Sequence, residues 1–216
     1  MTTSYISYGY VDRFTGEPFD SASSLGGPVT PEGVDFGFAL ESEYPTSRPR
    51  FYGVTSGRTD LPGITGILTS DQYEAARESE MQAREKLRVA ASHQSIEFEK
   101  TRRIENGFSF MGKRIQSRTE DRENIAGAKS AAQDAKSLGA EPGDFGWQIL
   151  LHNDGAEVFA WITLDNSLLP LDADQMIEMG YAAMLHKQRL IFKAKSLKDR
   201  VVAGEIINAS DDELWD

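Results

Sequence analysis

Residues 152–155 read His-Asn-Asp-Gly and place an imidazole, an amide and a carboxylate side by side. Such a group could perform acid–base chemistry, because these side chains transfer or orient protons. The same residue types also form tight turns, since Asn, Asp and Gly tolerate positive φ. Apolar segments flank the motif, so we interpret it as a hairpin turn joining strands at residues 147–151 and 157–164.

Other polar clusters also have structural explanations. Asp172 and Asp174 stand at the start of an amphipathic segment, where carboxylates cap backbone amides and favour the helix dipole. Asp211, Asp212 and Glu213 are typical of a solvated tail. The chain has no cysteine and three histidines, so thiol nucleophiles and thiolate metal sites are excluded. We expect no catalytic residue, no cofactor, no cofactor-binding residue and no metal ligand.

Motifs of well-known enzyme classes are missing from the sequence. It contains neither a G-x-x-x-x-G-K-[ST] nor a G-x-G-x-x-G phosphate loop, and neither G-x-S-x-G nor H-E-x-x-H. We therefore predict that the chain is not an enzyme. The competing hypothesis is an enzyme acting on a small molecule or a glycan, which would need two carboxylates that converge in a pocket with separated pKa values.

Charge and hydropathy exclude further classes. The 216 residues carry a net charge of −11, whereas proteins that bind nucleic acid or anionic membranes normally show a basic excess or a basic stripe. No apolar run is long enough for a membrane-spanning helix. We expect a protein that binds no nucleic acid and has no membrane span.

The first predicted region, residues 1–68, is an extended, β-rich docking segment. Ten of the 21 aromatic residues and five of the eight prolines lie within the first 60 residues. The pattern predicts short strands about a turn near Thr15 and Gly16, and another strand at residues 50–54. Because aliphatic residues are scarce here, we expect the rings to pack on a neighbouring subunit or partner. The alternative is a small β-subdomain that packs on its own chain.

A long helix is predicted for residues 69–106. Thr69 and Gln72 match a capping box, and neither Pro nor Gly follows until Gly107. The apolar stripe is narrow and surrounded by charged residues, so the helix suits pairing with copies of itself or bridging between domains. The alternative is a solvated arm that lies over its own domain.

Residues 107–206 have the pattern of a compact α+β domain, followed by an acidic tail at residues 207–216. A hairpin turns at Gly112, a helix ends at Gly139, and Asp172 caps a third helix. The predicted fold class is therefore α+β, with an extended aromatic-rich N-terminal segment, a long central helix and a small C-terminal α+β domain. One face of the third helix is apolar, at Met176, Gly180, Ala183, Leu190, Ala194, Leu197 and Val201.

The candidate interaction residues are large side chains outside this compact domain. Trp215 lies in a charged tail and has no evident core of its own, so we expect it to dock on a neighbour. The full set is Tyr8, Tyr10, Phe51, Tyr52, Leu87, Leu214 and Trp215.

A family resemblance covers roughly the 100 residues from Phe108 to Ile206. Its signature is Arg-Ile-Gln-Ser-Arg at 114–118, Arg-Glu-Asn-Ile-Ala at 122–126, Trp-x-x-x-Asp-Asn at 161–166, Leu-Pro-Leu-Asp-Ala at 169–173 and Met-Leu-His-Lys at 184–187. These segments resemble a family of domains of unknown function that is common in the tail-gene clusters of tailed bacteriophages and prophages. The resemblance implies folding roles only: a buried ring at Trp161, a turn at Asp165, and a helix start at Asp172.

The resemblance implies a virion protein that is made in the host cytoplasm. We expect a structural component of a phage tail tip, baseplate or tail-fibre attachment, whose partners are other tail proteins and copies of itself, with a trimer favoured. The alternative is a tail-fibre assembly chaperone that leaves before the particle matures.

Overall fold

The computed structural model describes residues 3–19, 26–39 and 50–216. Within them the chain is 46% helical and 19% strand, and its paired strands are antiparallel, which confirms the predicted α+β class and its strand-rich N-terminal segment. The chain forms two compact units, residues 1–90 and residues 91–216.

The first unit is built on a four-stranded sheet. The first unit contains six strands in all: β1 (Ser4–Tyr8), β2 (Val11–Asp12), β3 (Pro28–Val29), β4 (Val34–Ala39), β5 (Phe51–Thr55) and β6 (Ile64–Leu68). The order in the sheet is β4-β5-β1-β6, and β2 pairs with β3 separately. The strand predicted at residues 50–54 is confirmed as β5, and the predicted turn is also found, since Gly16 has a φ of 70° there.

Aromatic rings cover both faces of this sheet. On one face the ring of Tyr8 contacts Phe51, with the two centroids 5.5 Å apart. On the other face the rings of Phe38 and Tyr52 stack at 4.8 Å, and Tyr73 packs against them from the start of the long helix. Residues of this aromatic-rich segment therefore contact one another and residues 70–90 of their own chain.

The long helix α1 (Ser70–Glu105) begins and ends as its sequence predicts. The backbone amide of Thr69 donates to Gln72 Oε1 at 2.9 Å, and the amide of Gln72 donates to Thr69 Oγ1 at 3.2 Å, which confirms the capping box. Gly107 follows with a φ of 81°, a conformation that ends helices and favours glycine. Residues 70–90 of α1 belong to the first unit and residues 91–105 to the second.

The second unit combines residues 91–105 of α1 with two further helices and two hairpins. Its elements are β7 (Phe108–Phe110), β8 (Lys113–Ile115), α2 (Thr119–Ser137), β9 (Ala160–Ile162), β10 (Leu168–Pro170) and α3 (Ala173–Val202), with short 3-10 helices at Trp147–Leu150 and Asp212–Leu214. The β7–β8 hairpin turns at Met111 and Gly112, whose φ angles are 47° and 74°. Gly139, with a φ of 101°, follows α2 as predicted.

The core of this unit lies between α2 and α3. The apolar face predicted for the third helix is confirmed, because all seven of its residues are buried. Met176 and Ala183 of this face share one core cluster with four residues from β8, α2, the first 3-10 helix and the residue after β10: Ile115, Ile125, Trp147 and Leu171.

The strand predicted at residues 147–151 is wrong, and so is the hairpin turn that was to follow it. Trp147 starts a 3-10 helix, is fully buried, and donates its indole N–H to the Leu171 carbonyl at 3.1 Å. Gly155 folds back so closely that an added Cβ would lie 2.5 Å from the Gln148 carbonyl carbon. The second predicted strand shortens to β9, which pairs with β10 around the Asp165 turn instead.

Gly107 and Gly139 both follow a helix with positive φ, but only Gly107 is crowded. An added Cβ would lie 1.9 Å from the Ile115 carbonyl oxygen at Gly107 and would meet nothing within 4 Å at Gly139. We expect Gly139→Ala to lower the free energy of unfolding by about 1–2 kcal/mol, the cost of the left-handed backbone. Gly107→Ala should cost about 1–3 kcal/mol more because of the clash. Urea unfolding measures both, and equal losses would contradict the predicted clash.

Candidate functional site

Helix α3 carries a second apolar face that is exposed. Its large side chains recur at spacings of three, four and seven residues, and among them Phe192 is 62% exposed and Met184 is 52% exposed. At 100° per residue this face points roughly 140° away from the buried one. The exposed face consists of Tyr181, Met184, Leu185, Ile191, Phe192 and Val202, and we call it the outer α3 face.

This face has the width of a helix-packing surface. Ile177, Met184 and Ile191 are seven residues apart, while Tyr181 and Val202 fall on the alternate positions of the same heptad repeat. Leu185 and Phe192 widen the stripe beyond a two-position seam, as in helices that pack in bundles. A helix that is apolar on both sides is usually buried on both sides.

A cationic cleft of about 500 Å3 lies in the second unit beside this face, and Leu185 belongs to both. Arg103 from α1, Arg114 from β8 and Arg189 from α3 line it, together with His186 and Trp215. The volume falls within the range of small-ligand sites, about 300–1,000 Å3. Among the described residues neither Arg114 nor Arg189 has an ion-pair partner, although Arg114 Nε donates to the Asn106 carbonyl at 3.1 Å. Two guanidinium groups are thus available at the cleft.

Arg103 is already neutralised. Its Nε lies 3.0 Å from Glu99 Oε1, and it also pairs with the Asp212 carboxylate. Its guanidinium carbon lies 5.2 Å from the centroid of the Trp215 ring, a cation–π contact. Residues 211–216 therefore lie against the cleft, and Asp216 is one of its lining residues.

His186 is half-buried between these cations. Desolvation lowers the pKa of its imidazole below the usual value, and the charges of Arg189 and Arg114 lower it further. Backbone hydrogen bonds with Arg103 and Ile104 oppose the shift. Its Nε2 has no hydrogen-bond partner within the described part of the chain. A negative charge in the cleft would stabilise the protonated imidazole.

The predicted interaction residues are distributed over both units, and their role in binding partners stays a prediction. Leu87 is 54% exposed on α1, whereas Tyr10 and Leu214 are half-buried. The other four residues are buried within their own chain: Tyr8, Phe51, Tyr52 and Trp215.

The expectation that Trp215 has no core of its own is wrong. Its side chain is 2% exposed, and its indole N–H donates to the Ala209 carbonyl at 2.8 Å. The short 3-10 helix before it is capped by Asp211, whose carboxylate accepts from the Glu213 amide at 3.1 Å. The acidic segment thus has a local fold in which two of its carboxylates hold specific partners.

The residues considered for catalysis or metal binding hold structural positions. His152 is 76% exposed at its side chain, and its Nδ1 accepts from the Asp154 amide at 3.3 Å. Asp172 accepts from the Gln175 amide at 2.8 Å, which confirms it as the N-cap of α3. Asp174 pairs with Lys136 at 2.9 Å. Across residues 3–19, 26–39 and 50–216, no group of three or more His, Asp or Glu side chains could hold a metal ion.

Sequence reasoning missed both the outer α3 face and the cleft. The face had a readable signal, because its apolar residues repeat at helical spacing. The cleft had none, since its arginines come from segments up to 86 positions apart in the chain. Over the same described residues, no helix combines the length and the apolar character needed to cross a membrane.

We expect Trp215→Ala to lower the free energy of unfolding by about 3–5 kcal/mol, because it empties a buried site and orphans the Ala209 carbonyl. Ile206→Ala is the control: Ile206 is 92% exposed, and its loss should change the stability by no more than about 0.5 kcal/mol. Urea unfolding followed by circular dichroism measures both. Wild-type stability in Trp215→Ala would contradict the buried position.

The comparisons with known proteins identify one family. The model of a domain of unknown function (DUF4376) matches residues 82–214, which is more than half of the chain and includes the whole region of the predicted resemblance. No curated protein and no solved structure matches the chain significantly. The matched residues contain the outer α3 face and every lining residue of the cleft except Trp215 and Asp216. The chain therefore belongs to the DUF4376 family.

Proposed function

We propose that this chain is a structural protein of a bacteriophage tail that acts by assembling with copies of itself and with other tail proteins. The outer α3 face is the observation that supports assembly. Monomeric proteins rarely expose a large contiguous apolar patch unless it binds something. The place in a tail tip, a baseplate or a tail-fibre attachment rests on the resemblance drawn from the sequence.

Helix-to-helix contact is the mode of assembly that suits this face. The exposed side chains run from Tyr181 to Val202, about 30 Å at 1.5 Å per residue, and the Lys195–Asp199 ion pair lies between Phe192 and Val202. Tyr181 is held in place by Lys129, whose Nζ lies 3.8 Å from the ring centroid. Gln188 and Lys195 interrupt the stripe, and polar residues at such positions fix register and the number of helices. A trimer packed along α3 would bury the stripe of every copy.

The first test is the oligomeric state in solution. The double variant Met184→Glu and Phe192→Glu puts two carboxylates on the outer α3 face, and each unpaired buried charge costs about 3–5 kcal/mol. We expect the wild-type protein to be an oligomer by light scattering and the double variant to have the monomer mass of 23.9 kDa.

Ile206→Glu is the matched control, because Ile206 is exposed but lies beyond the end of α3. This variant should keep the wild-type mass, and circular dichroism should give the same helix content for all three proteins. A monomeric wild type, or a double variant that still assembles, would remove the support that the outer α3 face gives to the proposal.

The second test concerns the particle itself. We expect quantitative mass spectrometry of purified virions to detect the chain at one copy or more per tail fibre. Absence from the virion, together with a higher yield of soluble fibre on co-expression with the adjacent fibre gene, would instead establish the assembly chaperone. If the chain is absent from the virion and does not raise the yield of soluble fibre, a role in the tail is refuted.

A further inference from the structure

We infer that the cationic cleft binds an acidic peptide segment of a partner protein, through the guanidinium groups of Arg114 and Arg189. Neither arginine belongs to the outer α3 face, and the variants that test that face, at Met184 and Phe192, do not line the cleft. Binding at the cleft therefore does not depend on self-association through that face. Neither the family description nor the proposed function assigns a ligand to this cleft.

The cleft concentrates positive charge in an acidic protein. A protein of net charge −11 has few places that attract an anion, yet three arginines and a histidine converge on this cleft. Glu99 and Asp212 neutralise Arg103, and Asp216 is the one carboxylate among the lining residues. Arg114 and Arg189 have no ion pair among the described residues. Their charges therefore face the cleft uncompensated by a specific partner.

The residues Asp212 and Trp215 beside the cleft show which kind of anion it accommodates. The Asp212 carboxylate binds the guanidinium of Arg103, while Trp215 of the same segment packs against that guanidinium. A short acidic stretch with an apolar neighbour thus already occupies one side. Guanidinium groups bind carboxylates in a planar, often bidentate geometry, so Arg114 and Arg189 can hold carboxylates in the same way on the other side.

The apolar part of the lining favours a peptide over a free inorganic anion. Among the apolar residues that line the cleft, Phe108 and Leu190 are already buried, whereas Leu185 is 57% exposed. An inorganic phosphate would pair with the guanidinium groups and leave Leu185 in water. A peptide with carboxylates on either side of an apolar side chain would cover Leu185 and pair with both arginines at once.

The experiment uses the full chain and a capped synthetic peptide, acetyl-Glu-Leu-Glu-Leu-Glu-amide, measured by isothermal titration calorimetry. We expect binding that weakens as salt is added, because partly exposed charges are screened. Arg114→Gln and Arg189→Gln should each weaken it about tenfold, the loss expected for one charge-assisted hydrogen bond. Arg200→Gln is the matched control, since it removes one positive charge from α3 outside both the cleft and the outer α3 face and should leave the affinity unchanged.

The imidazole of His186 gives a second readout, by nuclear magnetic resonance. The charged groups around it are Arg103 of α1, Arg114 of β8, Arg189 of α3 and Asp216. A bound carboxylate should raise the pKa of His186 in the wild-type protein and shift its ring signals. The uncharged control peptide, acetyl-Gln-Leu-Gln-Leu-Gln-amide, should do neither.

Three results would overturn the inference. The first is no binding of the acidic peptide to the wild-type chain. The second is an equal loss of affinity in Arg200→Gln, which would indicate attraction by the general field of the protein. The third is an equal affinity for inorganic phosphate at matched ionic strength, which would indicate a site for small anions. Loss of oligomerisation in the outer-face variants would leave these outcomes unchanged, so the two proposals fail separately.

Discussion

The carboxylate of Asp172 accepts hydrogen bonds from the amides of Gln175 and Gly143, both at 2.8 Å. The preceding residue, Leu171, accepts the indole N–H of Trp147 and donates its own amide to the Phe159 carbonyl at 3.1 Å. Two adjacent residues thus fix the start of α3, the loop after α2, the 3-10 helix and the residue that precedes β9. All of these contacts are buried or partly buried, where an unsatisfied group would cost about 1–3 kcal/mol. The second unit depends on this junction, because α3 supplies the core, the outer face and part of the cleft.

Local signals explain why much of the fold could be predicted. The capping boxes at Thr69 and Asp172 are complete within four residues, and the Gly112 hairpin and the Gly139 helix end need only their own backbone. The segment at residues 147–151 failed for the opposite reason. Its apolar run fits a strand or a buried helical turn equally well, and the choice is made by the distant Leu171 carbonyl that takes the Trp147 indole proton.

Trp215 and the cleft could not be predicted either, because both depend on contacts between residues that are distant in the sequence. A tryptophan among acidic residues looks unpartnered in sequence, but Ala209 and Arg103 cover it in three dimensions. The cleft forms where the end of α1, the β7–β8 hairpin and α3 meet, so only the tertiary structure brings its arginines together. The outer α3 face differs, since its helical spacing could be read directly once α3 was known to bury the other side.

The position of Arg103 determines what the cleft can bind. Glu99, which is itself buried, holds the guanidinium from within α1, and Asp212 holds it from the C-terminal segment. The charge of Arg103 is balanced and its guanidinium packs against Trp215, so this residue lines the cleft without attracting an anion. Arg114 and Arg189 therefore provide the attraction for an anion. Were Asp212 to leave, Arg103 would keep only Glu99, a carboxylate that it shares with Arg102. The acidic segment at residues 211–213 therefore has a physical role besides solubility, because it limits the positive charge of the cleft while Trp215 completes the core beneath it.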